Sequence, residues 1–260
     1  RIHLEEDVAK NVHFEKSSGV DFNRAGTPLM EIVSEPEIES AEETVAYLNS
    51  LRQILSYGGV SDADREKGQL RCDVNVSVRP KGQKEFGTKI ELKNMNSVSA
   101  VRRALHYEID RQIDDAEEGK EQVQATWRWN EEAGQTEIMR TKEDAHDYRY
   151  FPDPDLLPVK TKKIVTAVKK HVPELPHEKQ ARFVKEFGVT DYDGGVMAAD
   201  LALADYFEQA AKGAKFGKKV ANWVINNLNS ALKEKELEIT ECPLPAEKLR
   251  DLVGMVDGGR

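Results

Sequence analysis

Cysteine is almost missing from this chain: Cys72 and Cys242 are the only two in 260 residues. Two thiols build neither a disulfide framework nor a zinc quartet, and a reducing cytosol suits them. No apolar run approaches the ~20 residues of a membrane helix, which excludes an integral membrane protein of the helical kind. An excess of positive charge is lacking too. The 38 Lys+Arg against 47 Asp+Glu leave a net charge of −9, so the chain as a whole is not a self-sufficient polyanion binder. No G-x-x-x-x-G-K-[ST] phosphate loop is present, and Gly213 to Lys218 has the wrong spacing for one. Neither G-x-G-x-x-G after a strand nor H-E-x-x-H occurs, and no serine or cysteine sits in a nucleophile context. Position 1 is arginine, Arg1-Ile2-His3-Leu4 reads like mid-strand sequence, and no leader features precede it. A piece of a longer chain is the expectation.

What is present divides unevenly. Residues 1–160 hold 22 basic and 32 acidic side chains, whereas residues 161–260 hold 16 and 15. The acidity belongs to the first part, where carboxylates could be neutralised by a metal or a basic partner, or could form a solvated surface. Hydrophobic period changes near the same point. Leu70 to Val78 alternates apolar and polar throughout, predicting a half-buried strand; Arg79 to Gly87 reads as a turn, and Thr88 to Leu92 alternates again, so the pair reads as an antiparallel hairpin. Arg1–Asp7 and Leu29–Val33 are weaker strand candidates. Ser40-Ala41-Glu42-Glu43 opens a helix carrying Val45, Leu48, Leu51 and Leu55, stopped by Gly58-Gly59. Ser97 opens another, with Val98, Val101, Leu105, Ile109 and Ile113 on its apolar face. Strands mixed with helices predict an α+β domain over 1–160. Beyond Pro158 only helical patterns remain, over 164–170, 178–187, 201–211, 218–232 and 246–256, which predicts a small all-helical domain over 161–260. Its lysine clusters (162, 163, 169, 170, 212, 215, 218 and 219) could meet phosphates or be solvated faces.

The chemistry rests on carboxylates where a strand has no need of them. Asp73 lies on the polar face of the best strand, beside Arg71 and Asn75; Glu91 lies between Lys89 and Lys93 on the partner strand. Glu31 interrupts Leu29-Met30-Glu31-Ile32-Val33, and Glu5 and Asp7 share a face with His3 if that segment is extended. Acids projecting from one face of a sheet suit Mg²⁺ holding the phosphates of a nucleotide, although with so many acids some fall on strands by chance. Asp144 to Asp155, with aromatics interleaved around Arg149, could stack a base or could be a proline-stiffened loop.

RIHLEED (1–7), GVDFNRAGTPLMEIVSEPEI (19–38), LRCDVNVSVRP (70–80), TKIELKNMNS (88–97) and MRTKEDAHDYRYFPDPDLLP (139–158), in this order, resemble the B subunit of the bacterial aspartyl/glutamyl-tRNA(Asn/Gln) amidotransferase. LADYFE (203–208) and ANWVINNL (221–228) are a looser match. The resemblance implies a cytoplasmic ligase subunit that uses ATP and Mg²⁺ to phosphorylate the side-chain carboxylate of glutamyl-tRNA(Gln) or aspartyl-tRNA(Asn). Ammonia released from glutamine by an amidase subunit (A) then displaces the phosphate, and a small C subunit completes a heterotrimer. It also implies an antiparallel-sheet cradle of glutamine-synthetase-like type for 1–160. Carried over by position, Glu5, Glu31, Asp73 and Glu91 are the metal-binding acids, with Glu31, Glu91 and Lys93 at the chemistry. Asn23, Arg24 and Arg71 fall to nucleotide or acyl contacts, and His3 and Asp7 to structure. Val8-Ala9 and Gln69 depart mildly from the family pattern, where Ala-Gly and Ser are usual. A histidine and glutamate from an N-terminal strand, and a tRNA-holding tail, belong to the family but not to residues 1–260, so these residues alone are expected to have an incomplete metal site and not to turn over. The archaeal-type subunit specific for glutamyl-tRNA(Gln), and a non-catalytic tRNA-binding scaffold, are the alternatives.

Overall fold

The computed structural model describes residues 1–64, 68–141 and 159–259, and the chain divides into two compact units, Arg1–Thr44 and Val45–Arg260. The Asp144–Asp155 segment therefore lies outside the described residues.

Unit one is built from two-stranded ribbons. Strands β1 (Ile2–Glu6) and β4 (Pro28–Ile32) pair antiparallel with His3 opposite Glu31 and Glu5 opposite Leu29. Strand parity puts Ile2, Leu4, Met30 and Ile32 on one face and His3, Glu5 and Glu31 on the other, so Glu31 interrupts the apolar run because it points the opposite way. β2 (Lys10–Phe14) and β3 (Ser17–Asp21) form a hairpin that local pattern does not announce, since no residue of either strand is buried. The loop from β3 to β4 is pinned to Asp7: its N–H donates to the Thr27 carbonyl at 2.8 Å, its carbonyl accepts from Gly26 at 2.9 Å, and Arg24 Nε lies 2.8 Å from its Oδ2.

Helix α1 (Ala41–Tyr57) starts and stops on the expected signals. Ser40 Oγ accepts the Glu43 N–H at 3.1 Å, while the Glu43 carboxylate reaches back to the Glu39 N–H rather than to Ser40. Gly59, at φ 62°, ends the helix in the left-handed conformation.

Unit two carries a four-stranded sheet in the order β5–β6–β7–β8: Val74–Val76, Ile90–Lys93, Ala125–Asn130 and Gln135–Thr141. The expected hairpin of β5 and β6 is antiparallel, but β5 keeps only three of its nine alternating residues. It ends because the Val78 N–H leaves the ladder and donates to Gln112 Oε1 at 3.1 Å, on the following helix. Gly87 returns so close to this strand that a Cβ on it would lie 2.0 Å from the Val78 carbonyl oxygen. The sheet is not wholly antiparallel, contrary to the expectation. Helix α2 (Val98–Glu117) crosses over from β6 to β7, and that connection makes the two strands parallel.

The N-cap of α2 is as expected, with Ser97 Oγ accepting the Ala100 N–H at 2.9 Å. Its buried face differs. Val101 and Leu105 are buried, but the next turns bury Glu108 and Gln112 while Ile113 is exposed. Polar burial wins because Glu108 is saturated: it accepts from Arg111 Nε (3.0 Å) and Nη2 (2.6 Å), Gln112 Nε2 (2.9 Å) and Thr136 Oγ1 (2.9 Å). The Arg111 guanidinium also lies over the Trp127 ring, 4.3 Å from its centroid.

Residues 159–259 are helical as expected: α3 (Lys162–Val168) with a 3₁₀ turn, α4 (Pro176–Phe187), α5 (Asp191–Ala198), α6 (Leu201–Ala211), α7 (Gly217–Trp223), α8 (Asn229–Glu234) and α9 (Ala246–Asp257). A π-helical turn, Val224–Leu228, joins α7 to α8. Phe183 and Phe207, with ring centroids 5.0 Å apart, pack with Val220, Val224, Leu249 and Val253 in one core. The pair Gly194-Gly195 lies inside α5, in a stretch that falls between the helical patterns of the sequence. A Cβ at Gly194 would meet Val184 Cγ2 at 3.2 Å and the Gln180 carbonyl oxygen at 3.3 Å, so close packing on α4 accounts for glycine there. Tyr57 at the end of α1 donates to the Ala198 carbonyl at 2.9 Å.

Candidate functional site

The apolar face of the sheet, with Ile90, Leu92 and Trp129 buried, fixes the direction of every residue between them. Asn75 on β5 stands opposite Glu91 on β6, Glu91 opposite Thr126 on β7, and Thr126 opposite Arg140 on β8. A polar row therefore runs across all four strands. Beside it Lys93 is opposite Arg128, and Asp73 lies immediately before β5.

Lys93 joins the two acids. Its Nζ lies 2.5 Å from Asp73 Oδ2 and 3.1 Å from Glu91 Oε1. The other Glu91 oxygen, Oε2, accepts from Thr126 Oγ1 at 2.8 Å. Burial pushes the Glu91 carboxyl up, but the Thr126 hydroxyl and then Lys93, with the charge of Arg140, outweigh it and leave it below the usual carboxylate range. Burial pushes Lys93 down, yet Asp73 and Glu91 together hold it above the ordinary lysine value. Glu91 is a carboxylate and Lys93 an ammonium, so Lys93 is a fixed positive charge and not a base. Next along β7, Arg128 pairs with Glu137, Nη2 to Oε2 at 2.7 Å, and Asn130 donates to its Oε1 at 2.6 Å. These bonds, Asn130 first and then Arg128, hold the Glu137 carboxyl below the usual range. Asn94, which leaves β6 at φ 64°, donates to the Trp129 carbonyl at 3.3 Å and borders an open hollow of about 240 Å³ with Arg128, Asn130, Glu131 and Glu132.

The predicted residues thus fall into two groups. Asp73, Glu91 and Lys93 are in direct contact on unit two, and Arg71 is exposed just ahead of β5. Glu5 and Glu31 share a face of the β1–β4 ribbon on unit one, both exposed. Asn23 and Arg24 lie in the loop fastened to Asp7; the Asn23 N–H donates to Asp21 Oδ1 at 2.9 Å. Among the described residues no group of three or more His, Cys, Asp or Glu side chains is arranged to hold a metal ion. The donor chemistry of Asp73 and Glu91 nevertheless fits a hard divalent cation such as Mg²⁺: both present carboxylate oxygens, and they already share one positive charge. A larger groove, about 550 Å³, has an apolar floor of Leu203, Leu232, Leu237 and Ile239 in the helical part and contains none of these residues.

A family model described as the GatB/GatE catalytic domain matches residues 1–167. The chain belongs to that family. A second model, described as the GatB domain, matches residues 205–260. Three similar proteins carry the name of the B subunit of aspartyl/glutamyl-tRNA(Asn/Gln) amidotransferase. They come from Methylacidiphilum infernorum (56% identical over 261 residues), Persephonella marina (52% over 261) and Carboxydothermus hydrogenoformans (51% over 265). Each alignment covers 100% of this chain and 53%, 55% and 55% of the relative, so the chain spans about half the length of the curated relatives it matches. In this GatB-family chain, sequence reasoning passes over Thr126, Arg128 and Arg140, because it does not read β7 and β8 as strands. The signal is there: Ala125, Trp127 and Trp129 alternate with polar residues ahead of Gly134, which takes φ 63°.

Proposed function

We propose that the chain is the central part of an ATP-dependent amidotransferase subunit that activates the side-chain carboxylate of glutamyl-tRNA(Gln) or aspartyl-tRNA(Asn). The observation that carries this reading is the joined trio Asp73, Glu91 and Lys93 on a rigid sheet, in a chain about half identical to relatives bearing that subunit's name. That name favours the bacterial type over the archaeal-type subunit. We take residues 1–160 as the catalytic region, of glutamine-synthetase-like cradle form, and 161–260 as a helical domain. The glutamine amidase (A) and small C subunits are its partners in a cytoplasmic heterotrimer. No helix among the described residues is long and apolar enough to cross a membrane.

A free carboxylate is a poor electrophile, since ammonia would have to expel an oxide. One of its oxygens attacks the γ-phosphorus of ATP, the bond to the β-phosphate oxygen breaks, and ADP leaves. Ammonia then adds to the carbonyl carbon of the acyl phosphate, loses a proton, and phosphate departs with its bonding electrons. Such transfer needs positioning and charge stabilisation more than covalent help. Asp73 and Glu91 would hold Mg²⁺, which supplies charge neutralisation at the phosphates, and Glu5 and Glu31 are the metal-binding acids proposed on unit one. Lys93, kept cationic by its two neighbours, is a donor for a phosphate oxygen. Asn23, Arg24 and Arg71 contact the nucleotide or the acyl group.

The test is amidation by the full-length subunit assembled with its amidase partner, with glutamyl-tRNA(Gln), MgATP and glutamine, beside a Glu31→Gln variant. Wild type should make glutaminyl-tRNA. The variant should not, while still binding tRNA and still hydrolysing glutamine. Equal product from both removes Glu31 from the chemistry; product from neither favours the scaffold.

A further inference from the structure

We infer that Thr126 is a positioning residue for the acidic pair: its hydroxyl holds Oε2 of the Glu91 carboxylate and so fixes Oε1 beside Lys93, the side chain that links Glu91 to Asp73. The inference rests on the reading of Asp73 and Glu91 as a cation-holding pair. Thr126 belongs to β7, which reaches Glu91 only through the parallel register created by the α2 crossover. Its side chain is buried, so water has little access to replace the hydroxyl. β-branching restricts its χ1, which makes it a stiffer support than a long polar side chain. The geometry assigns each Glu91 oxygen a separate task. Oε2 accepts from Thr126 Oγ1 at 2.8 Å, while Oε1 lies 3.1 Å from Lys93 Nζ, itself 2.5 Å from Asp73 Oδ2. Without the hydroxyl, Glu91 can rotate about its last bond, and the oxygen pair presented to a shared cation is no longer preset. Groups that orient a ligating carboxylate commonly change metal affinity by about 10–100-fold when removed.

Mn²⁺ binding to the full-length assembled subunit, read from the electron paramagnetic resonance signal of free Mn²⁺ without tRNA or glutamine, tests this. Thr126→Val keeps the volume and Thr126→Ala removes it, but both lack the hydroxyl; Thr126→Ser keeps the hydroxyl alone. Val and Ala variants should each bind Mn²⁺ about tenfold more weakly, and the Ser variant should bind like wild type. If Thr126→Val does not fold, the Ala and Ser pair decides. Unchanged binding in the hydroxyl-free variants, beside a Glu91→Gln control that loses binding, overturns the inference and leaves the acidic pair standing. Unchanged binding in Glu91→Gln itself overturns the reading beneath it.

Discussion

Glu108→Ala should be the most damaging single change beneath the sheet. The carboxylate is fully buried and accepts four hydrogen bonds, two from Arg111 and one each from Gln112 and Thr136. Removing one partner of a buried, hydrogen-bonded ion pair costs about 3–5 kcal/mol, because the other charge is left without compensation. Here Arg111 retains Asp115, Nη1 to Oδ2 at 2.6 Å, and its side chain keeps 19% exposure, which argues for the lower end, about 3 kcal/mol. Gln112 adds a structural consequence, since the same side chain holds the Val78 N–H where β5 ends. Urea unfolding followed by tryptophan fluorescence reports on the region directly, because Trp127 lies against Arg111 and Trp129 is buried in the same sheet. With a slope of about 2 kcal/mol per molar, the midpoint should fall by about 1.5 M. A double-mutant cycle with Arg111→Ala should return a coupling above about 1 kcal/mol. A loss below about 1 kcal/mol, or a cycle without coupling, would refute the claim that this network determines which face of α2 is buried.

Other predictions follow from single contacts. Gly87→Ala should destabilise the β5–β6 hairpin, since the new Cβ would overlap the Val78 carbonyl; a thermal midpoint equal to wild type would contradict the close approach. Arg182 holds Glu174 in a two-pronged pair at 2.7 and 2.8 Å and reaches Glu208 at 2.9 Å, and its hydrogen bonds hold both carboxyls below the usual glutamate range. Their folded-state values lie below the unfolded ones, so the stabilisation is present above about pH 4.3 and is lost as pH falls through the folded values. Arg182→Met should therefore flatten the acid side of the stability curve, and an unchanged slope between about pH 5 and about pH 3 would count against the pair. Tyr57→Phe should cost about 1 kcal/mol through the lost hydrogen bond to Ala198, measured as a shift in the urea midpoint.

Legibility from sequence followed the range of each signal. Ser40 and Ser97 announce their helices because a cap is a contact within a few residues, and α6 ends where its pattern ends. Asp73, Glu91 and Lys93 stand out as polar residues on alternating strands, and the structure brings these three together. Thr126 and Arg140 do not, because the crossover that seats β7 beside β6 is a tertiary event without a local period. Glu108 and Gln112 mislead for the opposite reason: the apolar period of α2 is clear, and a satisfied polar cluster overrides it. The parallel pairing inside an expected antiparallel sheet escapes for the same want of long-range information.

We propose that the polar face of this sheet is where the tRNA-borne carboxylate is phosphorylated. The most direct test is hydroxylamine trapping of the acyl phosphate by the full-length assembled subunit with MgATP and glutamyl-tRNA(Gln), glutamine withheld, with wild type beside Glu91→Gln. Wild type should yield the side-chain γ-hydroxamate, as distinct from the α-hydroxamate that hydroxylamine forms from the aminoacyl ester itself. The variant should yield almost none while binding the tRNA as before. Equal γ-hydroxamate from both would place the phosphorylation elsewhere.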